Sequence, residues 1–172
     1  MKTYICEICG DAYLGDEKPH QCPFCGSGKD YIKEGSEARP IINEIIEISE
    51  KSRENLMKTL RLEINAVVSY RCMANKTDKY EIKAMYKRLA KVELEHAEIA
   101  TKLLKIDLPE LVEKTCADSD KDNFDETIKL EDNASKLYAI FGQEAPEAEI
   151  KKFFAALTVV EKEHIDLIKN YL

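Results

Sequence analysis

Leu89-Ala90-Lys91-Val92-Glu93-Leu94-Glu95-His96 decides how this chain folds, because the pattern occurs twice. Leu157-Thr158-Val159-Val160-Glu161-Lys162-Glu163-His164 repeats it 68 residues later. A second pair keeps the same offset: Glu63-Ile64-Asn65-Ala66-Val67-Val68-Ser69-Tyr70 returns as Glu131-Asp132-Asn133-Ala134-Ser135-Lys136-Leu137-Tyr138, again 68 residues on. Two unlike segments sharing one offset mark an internal duplication. The duplicated unit is a helical hairpin, since apolar residues around all four segments recur at spacings of three and four.

Working outward, the spacing predicts four long helices. The first ends near Asn75 and starts anywhere from Pro40, a plausible first helical residue, to Ser49 or Ser52, plausible N-caps. The second runs from about Tyr80 to Lys105, the third from about Phe124 to Phe141, and the fourth from about Pro146 to the end. Short turns at 76–79 and 142–145 make antiparallel pairs. Residues 106–123 are too long and polar for a turn and suit a crossover along a bundle.

At about 100° per residue, each helix carries one inward stripe with a glutamate in it. The stripes are Leu56, Leu60, Glu63, Val67, Tyr70 and Ala74 in the first helix, and Tyr86, Leu89, Glu93, His96, Ala97, Ala100 and Leu104 in the second. Ile128, Glu131 and Tyr138 lie on the third, and Phe154, Leu157, Glu161, His164, Ile165 and Ile168 on the fourth. Burying four ionised carboxylates costs several kcal/mol apiece unless something compensates, and no Lys or Arg shares these stripes near them. Two divalent ions balance four carboxylates, with neutral imidazoles completing the coordination. One Glu from each of two helices plus Glu-x-x-His from each of the other two is the ligand set of di-iron and di-manganese carboxylate bundles. The candidate ligands are therefore Glu63, Glu93, His96, Glu131, Glu161 and His164. Tyr70 and Tyr138, two turns beyond Glu63 and Glu131, are either core aromatics or hydrogen-bond donors to the carboxylates, with the donor role preferred. Glu95, Glu98 and Glu163 fall off the stripes and are expected in solvent.

Residues 1–35 differ from the rest. They hold four of the six cysteines and five of the six glycines, without helical periodicity. Cys6-Glu7-Ile8-Cys9-Gly10 and Cys22-Pro23-Phe24-Cys25-Gly26 form two knuckles twelve residues apart, which closes a tetrahedral four-thiolate site. The glycine after each pair lets the backbone turn sharply. So short a module buries too little apolar surface to fold alone, so the metal supplies much of its folding free energy. Such a site suits zinc and iron alike. Tyr4, Tyr13, Phe24 and Tyr31 are expected to pack around it. His20 has no vacancy to fill, and Cys72 and Cys116 read as ordinary free thiols. The expected organisation is a four-cysteine domain over 1–35, a linker or the start of the first helix over 36–48, and the bundle over 49–172.

Apolar residues make up 44% of the 172 and charged residues 34%, as in soluble helix-rich proteins. A net charge of −7 argues against nucleic acid as a partner, and no apolar run approaches the roughly 20 residues that span a bilayer. CxxC pairs used for metal fit a cytoplasmic protein.

The knuckles CEICG and CPFCG, with Tyr4 ahead of the first, resemble rubredoxin, and the helical repeat resembles the ferritin-like domain of rubrerythrins. With the cysteine module first, the order is similar to that of the reverse rubrerythrins. The resemblance implies a mainly α protein: a ferritin-like four-helix bundle with a small N-terminal rubredoxin-like metal-knuckle domain. It implies one rubredoxin-type iron relaying electrons from an upstream donor protein to a di-iron centre that reduces hydrogen peroxide to water. Glu93 and Glu161 match the bridging carboxylates, Glu63 with His96 caps one iron, Glu131 with His164 caps the other, and Tyr70 and Tyr138 match tyrosines beside the site. A small oligomer is implied, as a dimer bringing one subunit's thiolate-bound iron to the other's di-iron pair. One departure stands out. Many rubrerythrins carry a further Glu one turn after the third-helix ligand, where this chain has Ala134, with Ala66 at the matching place in the first helix. That keeps dioxygen reduction, or ferroxidase and storage chemistry, as the alternative.

Overall fold

The computed structural model describes residues 1–44 and 47–172. Its first part is a three-stranded antiparallel sheet in the order β2-β1-β3, with β1 at Lys2–Cys6, β2 at Ala12–Gly15 and β3 at Ile32–Glu34. Tyr4 pairs with Tyr13, and Cys6 with Ile32. Both knuckle glycines have positive φ, +85° at Gly10 and +77° at Gly26, the conformation that makes glycine necessary there. Short 3-10 turns follow at Lys29–Tyr31 and Ile41–Asn43. The expected linker over 36–48 includes residues 45 and 46, which lie outside the described residues.

Four helices make up the rest: α1 Glu50–Lys76, α2 Tyr80–Leu104, α3 Asp120–Glu144 and α4 Ala148–Lys169. Among the candidate starts of the first helix the structure selects Ser49, whose side chain accepts a hydrogen bond from Ser52 N. Helix α3 is longer than expected at both ends. Ser119 caps its start by accepting from Asp122 N, and Gly142 stays inside the helix, so the turn to α4 is only Ala145–Glu147. The amphipathic period weakens before Phe124, which hid the first turn, whereas a Ser three residues ahead of an Asp was the available cue. Glu147 then ties the two hairpins together, accepting from Ser49 N and the Ser52 hydroxyl, both at 2.5 Å.

Helix α1 packs along α2 and α3 along α4, while α1 also meets α3. Two apolar clusters fill the interior. One joins Leu56, Leu60, Ile99, Phe153 and Phe154 of the bundle to Ile8, Ile32, Ile41 and the four knuckle cysteines. The cysteine module therefore shares its core with the bundle, which compensates for its small size. The other cluster, around Tyr70, Tyr86, Phe124 and Ile168, fills the far end. Among the described residues, no helix is long and apolar enough to cross a membrane.

Candidate metal centres

The four knuckle cysteines converge, each at most 3% exposed. Cys6 and Cys25 have their sulfurs 3.7 Å apart, as do Cys9 and Cys22. A tetrahedral ion with metal–sulfur bonds of about 2.3 Å places its sulfurs about 3.8 Å apart, so the cluster fits a single ion. Ser27, absent from the sequence reading, lies 3.1 Å from Cys6 Sγ and 3.3 Å from Cys25 Sγ. Cys25 Sγ donates to this hydroxyl as a thiol, and with the cysteines ionised the hydroxyl would instead donate to one of the two sulfurs, one of the levers that set the potential of thiolate-bound iron.

The six candidate ligands of the bundle also come together, and they do so as two overlapping groups. Glu63, Glu93, His96 and Glu161 form one, and Glu93, Glu131, Glu161 and His164 the other. The shared members are Glu93 and Glu161, the pair that the family resemblance made bridging. Tyr138 OH donates to Glu63 Oε1 at 2.5 Å and Tyr70 OH donates to Glu131 Oε1. Each tyrosine therefore serves the glutamate of the opposite helix, α3 to α1 and α1 to α3, an exchange that follows from the pseudo-twofold relation of the hairpins.

Several polar atoms of this cluster converge without hydrogen-bonding one another. Glu93 Oε1, both Glu161 oxygens and His164 Nδ1 are buried without a hydrogen-bond partner, although His164 Nδ1 lies 3.1 Å from both Glu93 Oε1 and Glu161 Oε2. Donor atoms converging at contact distance without hydrogen-bond geometry are what a metal ion satisfies. Burial pushes Glu63 up to about 7 against the pull of His96. Burial and the neighbouring Glu93 and Glu131 charges raise Glu161 well above the usual carboxylate range. For Glu93 burial is outweighed by His164 and His96, which hold it low. Without a metal the site must retain protons, and ion binding releases them. The donor set fits a di-iron centre, and the knuckle fits a rubredoxin-type iron.

The two centres meet directly. His96 faces the carboxylates through Nδ1, 3.0 Å from Glu93 Oε2, and its Nε2 donates to the backbone carbonyl of Cys25 at 2.8 Å. A bond from the far nitrogen fixes the tautomer and ring orientation of a ligating histidine. The structure makes this approach within one chain. Gly26 permits it: a Cβ there would stand 3.0 Å from Val160 Cγ1 of α4. Arg88 donates to the carbonyls of Pro23 and Phe24, Gln21 Nε2 to Glu163 at 2.6 Å, and Lys152 pairs with Glu7 at 2.7 Å.

Three expectations are corrected. Glu95 is half-buried, because the knuckle covers that side of α2, and its neighbours are Cys9 and Asp11. Burial and Asp11 raise it to about 7. Glu98 is likewise half-buried. Cys72 and Cys116 are joined in a disulfide, since the crossover lies against α1, a juxtaposition that no periodicity encodes.

Glutamates shared between two histidine sites at the heart of a duplicated bundle define the ferritin-like class, here with a rubredoxin-like knuckle on its flank. The family model described as Rubrerythrin matches residues 54–117, and reverse rubrerythrin-1 of Clostridium acetobutylicum is 33% identical over 113 residues, 60% of this chain and 62% of that protein. The chain thus spans less than two thirds of that relative's length. No solved structure matches. Over those spans the chain is similar to the rubrerythrins, and in the order of its two modules to the reverse rubrerythrin.

Proposed function

We propose that this protein reduces hydrogen peroxide to water, drawing electrons from a donor protein through the four-cysteine site. The hydrogen bond from His96 to the Cys25 carbonyl carries this reading, because it joins a thiolate ligand of one centre to an imidazole ligand of the other. A pair of iron ions supplies two electrons together, the number that peroxide reduction takes, and a single thiolate-bound iron passes them one at a time. The residues themselves do the holding. Glu63, His96, Glu131 and His164 would each hold one ion, and Glu93 and Glu161, common to both donor groups, would be shared between the two. Burial and the adjacent carboxylates keep the Tyr70 and Tyr138 hydroxyls protonated, far above their ordinary range, so they remain donors to Glu131 and Glu63. Packing leaves these ligands in a nearly dry interior, with His164 at 8% exposure the most accessible. That limits which oxidants reach them.

Dioxygen reduction or ferroxidase activity is the second reading, favoured by one observation: Ala134, small and 7% exposed, occupies the place one turn after Glu131 where a further carboxylate would stand, and Ala66, at 6%, fills the matching place in α1. Iron-loaded protein, reduced anaerobically and mixed separately with hydrogen peroxide and with dioxygen, distinguishes them. Peroxide is expected to oxidise the four-cysteine chromophore much faster than dioxygen does. Faster turnover with dioxygen would remove the peroxide assignment, and a colourless, zinc-filled knuckle would remove the electron inlet.

A further inference from the structure

The segment between α2 and α3 contains no helix or strand over residues 106–117 and lies against α1. Polar contacts hold it there. Lys114 Nζ donates to Asn65 Oδ1 at 2.9 Å and to Ser69 Oγ at 3.2 Å, both of α1, Lys76 of α1 pairs with Asp118 just beyond the segment, and Asn123 Nδ2 of α3 donates to the Ala117 carbonyl at 3.1 Å. The Cys72–Cys116 disulfide is superimposed on these contacts and closes a separation of 44 residues. With the bond open, the segment still has its other anchors.

The two sulfurs sit in unlike surroundings. Cys72 lines an open groove of about 440 Å³ in which Arg71, Lys76 and Lys114 outnumber one acid, Glu113. Cys116 lines a second groove, of about 460 Å³, where Asp122, Asp125 and Glu126 stand against Lys114 and Lys129. Nearby cations favour thiolate over thiol, and partial exposure lets oxidants reach it. Carboxylates have the opposite effect. The cation excess on the Cys72 side assigns attack to Cys72 and resolution to Cys116, the division of labour that redox-sensing cysteine pairs require.

We propose that Cys72 and Cys116 form a reversible dithiol–disulfide couple, oxidised by hydroperoxides and reset by an external dithiol, that clamps the 106–117 segment to α1. The Cys72 thiolate attacks one peroxide oxygen. A sulfur–oxygen bond forms, the oxygen–oxygen bond breaks, and the leaving hydroxide takes a proton to become water. Cys116 sulfur then attacks the Cys72 sulfenic acid, forming the disulfide and releasing the second oxygen as water. The two thiols supply both electrons. Reset is thiol–disulfide exchange, which leaves the external dithiol oxidised. No metal ligand takes part, so the couple is independent of the reductase reading.

The test uses full-length, metal-loaded protein treated with dithiothreitol under native conditions and desalted, its metal centre left oxidised so that it has no electrons to give. Hydrogen peroxide is added in steps, and differential alkylation with peptide mass spectrometry reads Cys72 and Cys116 separately from the knuckle cysteines. Both are expected to be alkylated after reduction, to disappear together at one peroxide per pair, and to return on renewed reduction. Their oxidation is expected to run at least about tenfold faster than that of glutathione in the same tube. In Cys116→Ser, Cys72 is expected to accumulate as a dimedone-trapped sulfenic acid, and Arg71→Gln is expected to slow its formation severalfold. A bond that dithiothreitol cannot open in the folded protein overturns the proposal, and so do thiols that outlast excess peroxide or oxidise no faster than glutathione. Equally rapid sulfenic acid formation on Cys116 in Cys72→Ser overturns the assignment of the attacking sulfur.

Discussion

Replacing Tyr138 with phenylalanine removes one oxygen and isolates what its hydroxyl does for the metal centre. The ring stays packed, 5.9 Å from Phe154 and 6.3 Å from Phe141 between centroids, so no cavity opens. What is lost is a hydrogen bond to Glu63 Oε1 at 2.5 Å, between side chains that are 0% and 2% exposed. A hydrogen bond to a charged partner contributes about 1.5–3 kcal/mol, and the proton affinity of a carboxylate deprived of it rises roughly ten- to hundredfold. Glu63 stands at about 7 with the bond in place, so Tyr138→Phe raises it further. At pH 7 the proton that metal must displace weakens binding by a factor of about 2 in the parent and about 10–100 in the variant. The expected outcome is divalent-ion binding roughly five- to fiftyfold weaker at pH 7, converging with the parent above about pH 9. Chelator-competition titrations of metal-free protein from pH 6 to 9 read it directly. Equal affinities at pH 7, or a deficit unchanged between pH 7 and 9, would refute the idea that Tyr138 acts by keeping Glu63 ionised.

Gly26→Ala combines positive φ with a methyl 3.0 Å from Val160. It is expected to destabilise the protein by about 1–2 kcal/mol and, under the proposed electron relay, to slow oxidation of the four-cysteine site at unchanged metal content, as followed by stopped-flow bleaching. Metal-free protein should lose thermal stability as pH rises from about 4.5 to 7, because Glu63, raised to about 7 by burial, contributes stability that is complete below its unfolded value and lost through its folded one. Metal-loaded protein should show the opposite trend over that range, since deprotonated ligands bind the ions. Under oxidising conditions Cys72→Ser is expected to cost up to about 4 kcal/mol in denaturant unfolding, the chain-entropy value for a separation of 44 residues. After reduction of the parent the two should unfold alike.

Sequence alone determined the parts of this protein that depend on local period. A helix turns by a fixed angle per residue, so the stripes holding Glu63, Glu93, Glu131 and Glu161 could be read before any fold was known, and the 68-residue repeat put them in register. Knuckle spacing likewise confined four thiolates to one site. What only the tertiary structure decided is how separate elements face one another. Tyr70 and Tyr138 could be placed on the right face, but not on the partner helix whose glutamate each serves. Nothing in the period of α2 sets the far nitrogen of His96 against Cys25, covers Glu95 with the knuckle, or turns the Ser27 hydroxyl toward two sulfurs. Cys72 and Cys116 illustrate the limit most sharply. They read as unrelated thiols along the chain and become one bond because the irregular crossover has no repeat of its own and takes its path from the surface of α1.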